Sequence, residues 1–429
     1  MSTLTPEPLS AIARTQNPQQ QAGDIPSVPD VAVLTGGADR PYALGLARAL
    51  AACGQTLEFV GSDEVTAPDI EEHPSIRFLN LRGDQRPEAS LVSKLTRVAR
   101  YYARLLVFAA SSRAKVFHIL WNNKWEFFDR VILTGYYRLL GRRVVLTAHN
   151  VNKAERDGND SAWNRATLKT QYSLVNHIFV HTEKSRDELC TGFSVPRNKV
   201  EVIPFGVNDS VPDTELSGEE ARHRLGLGAG DKVLLFFGNI APYKGVEFLV
   251  EAVTLLGREI DSLKLVIAGR PKGAEDYWQR IETRLREDAA LAGRVVQRIE
   301  YIPDAETEVY FKAADAFVLP YTHIFQSGVL FLGYGFGVPA ICTDVGALRE
   351  DVVEGETGLL AAPQCAPSLA AAIRSFFGSR MYERMAETRG RIRQMVRQRN
   401  SWEAVAKRTV QVYRQVTGLS GSGSDCQEK

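Results

Sequence analysis

The chain has 429 residues, 44% of them hydrophobic and 24% charged, which allows a large buried core and suggests two or three domains. Its net charge of +1 argues against bulk attraction to nucleic acid or to an acidic partner, so any basic surface must be local. The five cysteines, at 53, 190, 342, 365 and 426, are odd in number and form no CxxC pair, which argues against a disulfide or zinc framework and for a reduced, cytoplasmic setting.

Residues 1–29 are rich in Pro, Gln, Ser and Thr and read as a disordered tail. They contain no signal-peptide apolar segment. No apolar run in the chain reaches the roughly 20 residues of a bilayer span. The expectation is a soluble or peripheral protein. VAVLTGG is the first strand, running into Gly36 and Gly37, and Tyr42–Ala52 follows as a helix. Two glycines at such a turn let the backbone approach a ligand, often a phosphate, although no full GxGxxG is present. Leu57–Val60 is the next strand. Ser90–Ala110 is a long amphipathic helix, with Lys94, Arg97, Arg100 and Arg104 on one face and Leu91, Leu95, Val98 and Leu105 on the other. Two readings of its basic face stand: a solvated outer surface, or a contact with an anionic membrane. VFHIL (116–120) is a strand, and the aromatic-polar loop WNNKWEFFD follows it. VVLTAHN (144–150) ends on His149, where ligands bind in parallel sheets, although a histidine there is more often structural. Asp157 and Asp160 in the next loop are too few for a calcium site. HIFVHT (177–182), a helix from Glu183 and KVEVIP (199–204) complete an α/β alternation over 30–207.

The polar stretch 208–220 reads as a linker, and the alternation restarts over 221–399. VLLFFG (233–238), the turn NIAPYKG, a helix Val246–Leu256, LKLVIAG (263–269), a strand within 295–303 and a helix Thr307–Ala314 lead to Ala316–Gly346. That last tract reads as strand, loop, helix, turn and strand. Ser327 stands at the N-cap, and Gly337 with Pro339 ends the helix. Free N–H groups at such a helix start suit a phosphate, although an ordinary βαβ turn also uses Ser and Gly. Another helix runs from Pro367, a final helix occupies 400–417, and 418–429 reads as a second disordered tail.

In order and spacing, LTGG, VVLTAHN, IFVHTEKS, VEVIPFGV, FFGNIAPYKGVEFLVEA, LVIAG, ADAFVLP, the SGVLFLGYGFGVPAICTDVGALRED tract and SWEAVAKRTVQVY resemble the retaining GT-B glycosyltransferases of family 4, over about residues 30–416. The resemblance implies two doubly wound Rossmann-like domains facing across a cleft, with the last helix crossing back. It implies a nucleotide-sugar donor held by the C-terminal domain and a glycan or lipid-linked acceptor at the N-terminal one. No metal and no cofactor beyond the donor are expected. The setting it implies is cell-surface polysaccharide or glycoconjugate synthesis. Lys244 matches the lysine that meets the donor diphosphate, and Gly36 with Gly37 matches the loop opposite. His149 matches the residue near the reacting sugar carbon. Ser327, Gly328 and Val329 match the turn that receives phosphate oxygens. The sequence also departs from the pattern. Two glutamates eight positions apart in many members are Ile324 and Leu332 here, and the arginine that often accompanies the lysine is Asn239. Gln326 is the candidate to replace the missing carboxylates, and Glu350 reads as a structural residue. These losses leave an alternative: a degenerate domain that regulates another transferase.

Overall fold

A computed structural model describes residues 30–37, 39–84, 91–156, 158–207 and 211–418. The tails expected at 1–29 and 419–429, Asp157, the first three linker positions 208–210 and the Leu91 side chain lie outside the described residues. The first sheet contains β1 (Val31–Leu34), β2 (Leu57–Gly61), β3 (Ile76–Asn80), β4 (Val116–Ile119), β5 (Arg143–Thr147), β6 (His177–Val180) and β7 (Val200–Val202). The second contains β8 (Lys232–Phe237), β9 (Leu263–Ala268), β10 (Val295–Arg298), β11 (Ala316–Leu319), β12 (Ala340–Thr343) and β13 (Gly358–Ala361). Their orders are β3-β2-β1-β4-β5-β6-β7 and β10-β9-β8-β11-β12-β13, parallel throughout. Helices cover both faces of each sheet, so the central strands are apolar on both sides and β1, β4, β6 and β11 are buried along their length. Strand β3 is absent from the sequence reading because it is an edge: Ile76 is buried while Arg77 and Asn80 are exposed, and no apolar run marks it.

The final helix, Trp402–Thr417, packs on the first-domain helix Arg40–Ala52. Two glycines make room for Trp402: a Cβ on Gly45 would lie 2.2 Å from its ring, and one on Gly206 2.5 Å. The indole N–H donates to the Val207 carbonyl at 2.7 Å. Farther along, the Tyr413 hydroxyl meets His118 Nδ1 at 2.6 Å, and His118 Nε2 meets Thr147 Oγ1 at 2.7 Å. The helix thus crosses from the second domain and is built into the first.

The long helix spans Leu91–Ser111, and two expectations about it are corrected. Leu95, expected inward, is 61% exposed, because the buried Tyr101, Tyr102, Leu105 and Phe108 set the inward face farther along. Arg97, expected on an open basic stripe, bends back: its Nη1 donates to the Asp84 carbonyl at 3.1 Å and lies 3.8 Å from the Asp84 carboxylate. Among the described residues no helix is long and apolar enough to cross a membrane.

Candidate active site

In each sheet the strand order reverses beside a central strand, at β1/β4 and at β8/β11, and crevices at such points receive ligands. The two crevices are joined by side chains from both domains. Phe205 stacks on Phe331 of the helix Gly328–Gly335, with centroids 5.4 Å apart. The Glu350 carboxylate accepts the backbone N–H groups of Glu183 and Lys184, each at 3.0 Å. A second-domain carboxylate thereby caps a first-domain helix, where a negative charge is stabilising. The residue expected to be structural is an interdomain clasp. Beside it opens a cleft of about 650 Å³ lined by Asn152, Arg165, Lys184, Ile324, Arg349 and Glu350. Neither Lys244 nor His149 lines that cleft.

The turn after β8 carries the charge. Gly245 adopts φ 63°, and a Cβ there would lie 2.1 Å from the Pro320 carbonyl, so only glycine lets this turn close against the end of β11. The Thr322 N–H then donates to the Tyr243 carbonyl at 2.8 Å. This packing buries Lys244, which is 7% exposed. Its Nζ donates to the Tyr321 hydroxyl at 3.2 Å and sits 5.0 Å from the centre of that ring. Burial pulls its pKa down. Among the described residues no carboxylate forms an ion pair with it. The Tyr321 hydroxyl reaches on to Ser327 Oγ at 3.4 Å. A Cβ on Gly238 would lie 3.4 Å from Lys244 Nζ and 3.5 Å from Val329. Lys244, Ser327 and Val329 therefore converge at the start of the Gly328–Gly335 helix. Ser327 is its N-cap, but its side chain caps no N–H. Gly328 is exposed there. Asn239 is exposed beside Gly238 and stands next to this group.

The turn after β1 is built differently. Gly36 and Gly37 both adopt left-handed backbone, φ 59° and 68°. A Cβ on Gly36 would lie 2.5 Å from the Trp121 carbonyl, so the need for glycine comes from the neighbouring strand end. Thr35 Oγ1 donates to the Val60 carbonyl at 2.9 Å and accepts the Gly37 N–H at 3.2 Å. The Arg82 guanidinium donates to the Gly36 carbonyl and lies over the Tyr101 ring. Arg82 went unread in the sequence because it stands in a loop after the unrecognised edge strand.

His149 lies in a box of rings. It stacks on Trp121 at 4.2 Å with planes 2° apart, and Tyr42 meets it edge-on at 4.6 Å. Its tautomer follows from its neighbours. The Ile203 carbonyl can only accept, so His181 Nδ1 carries the hydrogen in their 3.2 Å contact. Burial holds the His181 pKa down to about 4, so its Nε2 is a bare acceptor near neutral pH. His149 Nδ1 must then donate in the 3.1 Å bond between the two rings. His149 Nε2 is left as a lone pair, buried and without a partner. Burial, with His181 and His118 nearby, keeps this ring well below the usual histidine range. The group it offers is a neutral acceptor suited to a hydroxyl.

Ile324 and Leu332 pack against the second domain's core, and neither replaces a carboxylate. Gln326 lies beside Asp351, near enough for its amide to favour the Asp351 carboxylate, yet neither of its amide atoms nor Asp351 Oδ2 makes a hydrogen bond of normal geometry, and all three are buried. Burial pushes the Asp351 carboxyl up to about 7. Among the described residues no cluster of three or more His, Cys, Asp or Glu side chains could hold a metal.

Two parallel, doubly wound domains facing across a cleft, with the last helix returned to the first, define a GT-B fold. Residues 35–211 match the family model described as Glycosyltransferase Family 4, and residues 231–378 match that described as Glycosyl transferases group 1. The chain belongs to glycosyltransferase family 4. It is 26% identical over 304 residues to the D-inositol 3-phosphate glycosyltransferase of Corynebacterium glutamicum, covering 67% of this chain and 70% of that relative. In fold it is similar to sucrose-phosphate synthase from Thermosynechococcus elongatus, with a TM-score of 0.71 and 21% identity over 92% of this chain and 100% of the other. It is also similar in fold to Anabaena HepE in complex with UDP, with a TM-score of 0.70 and 15% identity over 90% and 100% of the two chains.

Proposed function

We propose that this glycosyltransferase moves a hexosyl group from a nucleotide sugar to a glycan or lipid-linked acceptor, with retention at the anomeric carbon and without a bound metal or cofactor. The observation that carries the reading is Lys244: a buried ammonium with no counter-ion among the described residues, set at a helix start. Such a charge is costly unless an anion arrives to meet it. A diphosphate at the Gly328 and Val329 N–H groups supplies that anion. HepE, a protein of similar fold, has been solved in complex with the nucleotide sugar UDP-glucose.

In this reading the bond between the anomeric carbon and the diphosphate oxygen breaks, and the acceptor oxygen bonds to that carbon on the same face. The acceptor's proton passes to the departing diphosphate. Lys244 and the helix N–H groups stabilise charge that grows on the diphosphate as the bond breaks. Gly36 and Gly37 close the site from the first domain. His149 Nε2 accepts a hydroxyl of the donor sugar, and Gln326 with Asn239 stands where further donor hydroxyls are met. A role in cell-surface polysaccharide or glycoconjugate synthesis is part of the proposal.

The test is to incubate the purified chain with a panel of nucleotide sugars, in EDTA, and follow nucleotide release and sugar transfer by mass spectrometry. The expectation is slow hydrolysis of one or a few donors without acceptor, unaffected by the chelator. If no nucleotide sugar binds at millimolar concentration, the reading falls and a regulatory role replaces it.

A further inference from the structure

Ten large apolar side chains are exposed among the described residues, and eight of them lie between Val92 and Trp163, so the apolar surface belongs almost entirely to the first domain. On the long helix, Val92, Ala99, Ala103 and Val107 are exposed at spacings of seven, four and four, with Leu95 beside them. This helix turns an apolar stripe outward as well as one inward. On one flank the rings continue the stripe. Trp125 stacks on Tyr102 at 4.9 Å, and the Tyr136 hydroxyl reaches the Leu106 carbonyl. Phe127 and Trp163, 44% and 64% exposed, stack on each other at 5.3 Å. Glu126 between Trp125 and Phe127 is tied to Arg130 at 3.2 Å. On the other flank, Arg100 and Arg104 are exposed. They rim a groove of about 690 Å³ floored by Leu79, Leu81 and Val107, in which Arg77 of the edge strand is already paired with the buried Glu58 at 3.6 Å.

We infer that this face seats the first domain on an anionic lipid surface, with the apolar stripe and the Phe127–Trp163 pair in the headgroup boundary and Arg100 and Arg104 on the lipid phosphates. An apolar helix face beside cations is the pattern of an interfacial helix, and exposed tryptophans prefer that depth. The surface differs from a purely basic stripe over Lys94–Arg104, since Arg97 is engaged with Asp84. A second copy of the chain fits less well, because pairing this face with itself sets arginines against arginines. The inference deepens the lipid-linked acceptor reading and is measured without turnover.

The wild-type chain is expected to co-sediment with vesicles of mixed phosphatidylglycerol and phosphatidylcholine, and much less with phosphatidylcholine alone. The double variant Arg100→Glu/Arg104→Glu should lose about an order of magnitude or more in partition at low salt. The double variant Phe127→Ser/Trp163→Ser should lose a similar factor at high salt too, where the cations are screened. Circular dichroism and donor hydrolysis should match wild type in both, which separates lost seating from lost fold and from failure of the transferase reading. Wild-type protein left in the supernatant with anionic vesicles overturns the inference. So does a ring variant that sediments like wild type. If the same substitutions instead dissociate a dimer in sedimentation velocity without vesicles, the face belongs to a second copy.

Discussion

The two domains share one plan, yet the ends of their central strands are chemically opposite. After β1 the first domain presents glycine backbone and a box of uncharged rings. Burial holds His118 down to about 3, His177 and His181 to about 4, and His149 well below the usual range. After β8 the second domain presents a buried ammonium, and elsewhere in that domain the Asp351 carboxyl is raised to about 7. A shared fold has thus been given two different tasks. In the proposed reaction one side supplies shape and neutral acceptors, the other the charge that a departing anion needs. If that division is right, removing the charge should stop the reaction, and removing an acceptor should only slow it.

The largest expected effect is therefore at Lys244. Lys244→Ala should lower turnover in the donor-hydrolysis assay by roughly 10²–10³-fold. It should not lower the melting temperature by much, because a buried cation without a counter-ion stabilises little. A folded variant that turns over like wild type would break the comparison at its stronger end.

A smaller effect is expected on the neutral side. His149→Ala removes one acceptor for a ligand hydroxyl, which is worth about 1–3 kcal/mol, or roughly ten- to a hundredfold in kcat/KM. The pH dependence has a definite sign. These histidines have folded pKa values below the ordinary 6.5, so the unfolded chain takes up protons first as pH falls. Their stabilising contribution is complete above about 6.5 and is lost as pH drops toward 4. The melting temperature of the wild type should decline across that window, and less steeply in His149→Gln. A wild-type melting temperature flat from pH 7 to about pH 4 would mean that the rings are not held neutral.

The strand-and-helix alternation was legible because buried parallel strands are written as apolar runs and their turns as Gly, Pro and Ser. Strand β3, the helix Ala162–Leu174 and the helix Glu275–Glu287 were not read. The first is an edge strand, and the two helices carry mostly polar faces. Ser327 could be picked out because it stands at a turn whose chemistry is local, whereas Lys244 was picked out through the family resemblance. Other features depend on residues far apart in the chain and leave no local mark. The His149–His181 tautomer lock joins positions 32 apart, and the Glu350 clasp joins positions 167 and 166 apart. Gly36 was read as letting backbone approach a ligand, but the Trp121 carbonyl that requires a glycine there left no mark.

The smallest expected effect tests where Gln326 belongs. The missing carboxylates at Ile324 and Leu332 ask for another acceptor, and Gln326 precedes the helix proposed to meet the diphosphate. Yet both of its amide atoms are buried beside Asp351, so the same side chain has a structural use. The two uses predict different things. If the amide turns to a donor hydroxyl, Gln326→Ala should raise the donor KM or lower turnover about tenfold, the worth of one hydrogen bond. Asp351→Asn would then leave the kinetics near wild type. Asp351 itself has a stability signature. Its folded pKa, about 7, lies above the ordinary carboxylate value of 3.8, so the folded chain holds a proton that the unfolded chain releases. Stability from this residue is present below about pH 4 and falls as pH rises through 7, opposite in sign to the histidines of the first domain. Asp351→Asn keeps the shape without the ionisation, so it should raise the melting temperature at pH 8 and have little effect in acid. If both variants shift melting temperature and neither shifts KM, the pair is packing, and the donor is held by backbone, Lys244 and His149.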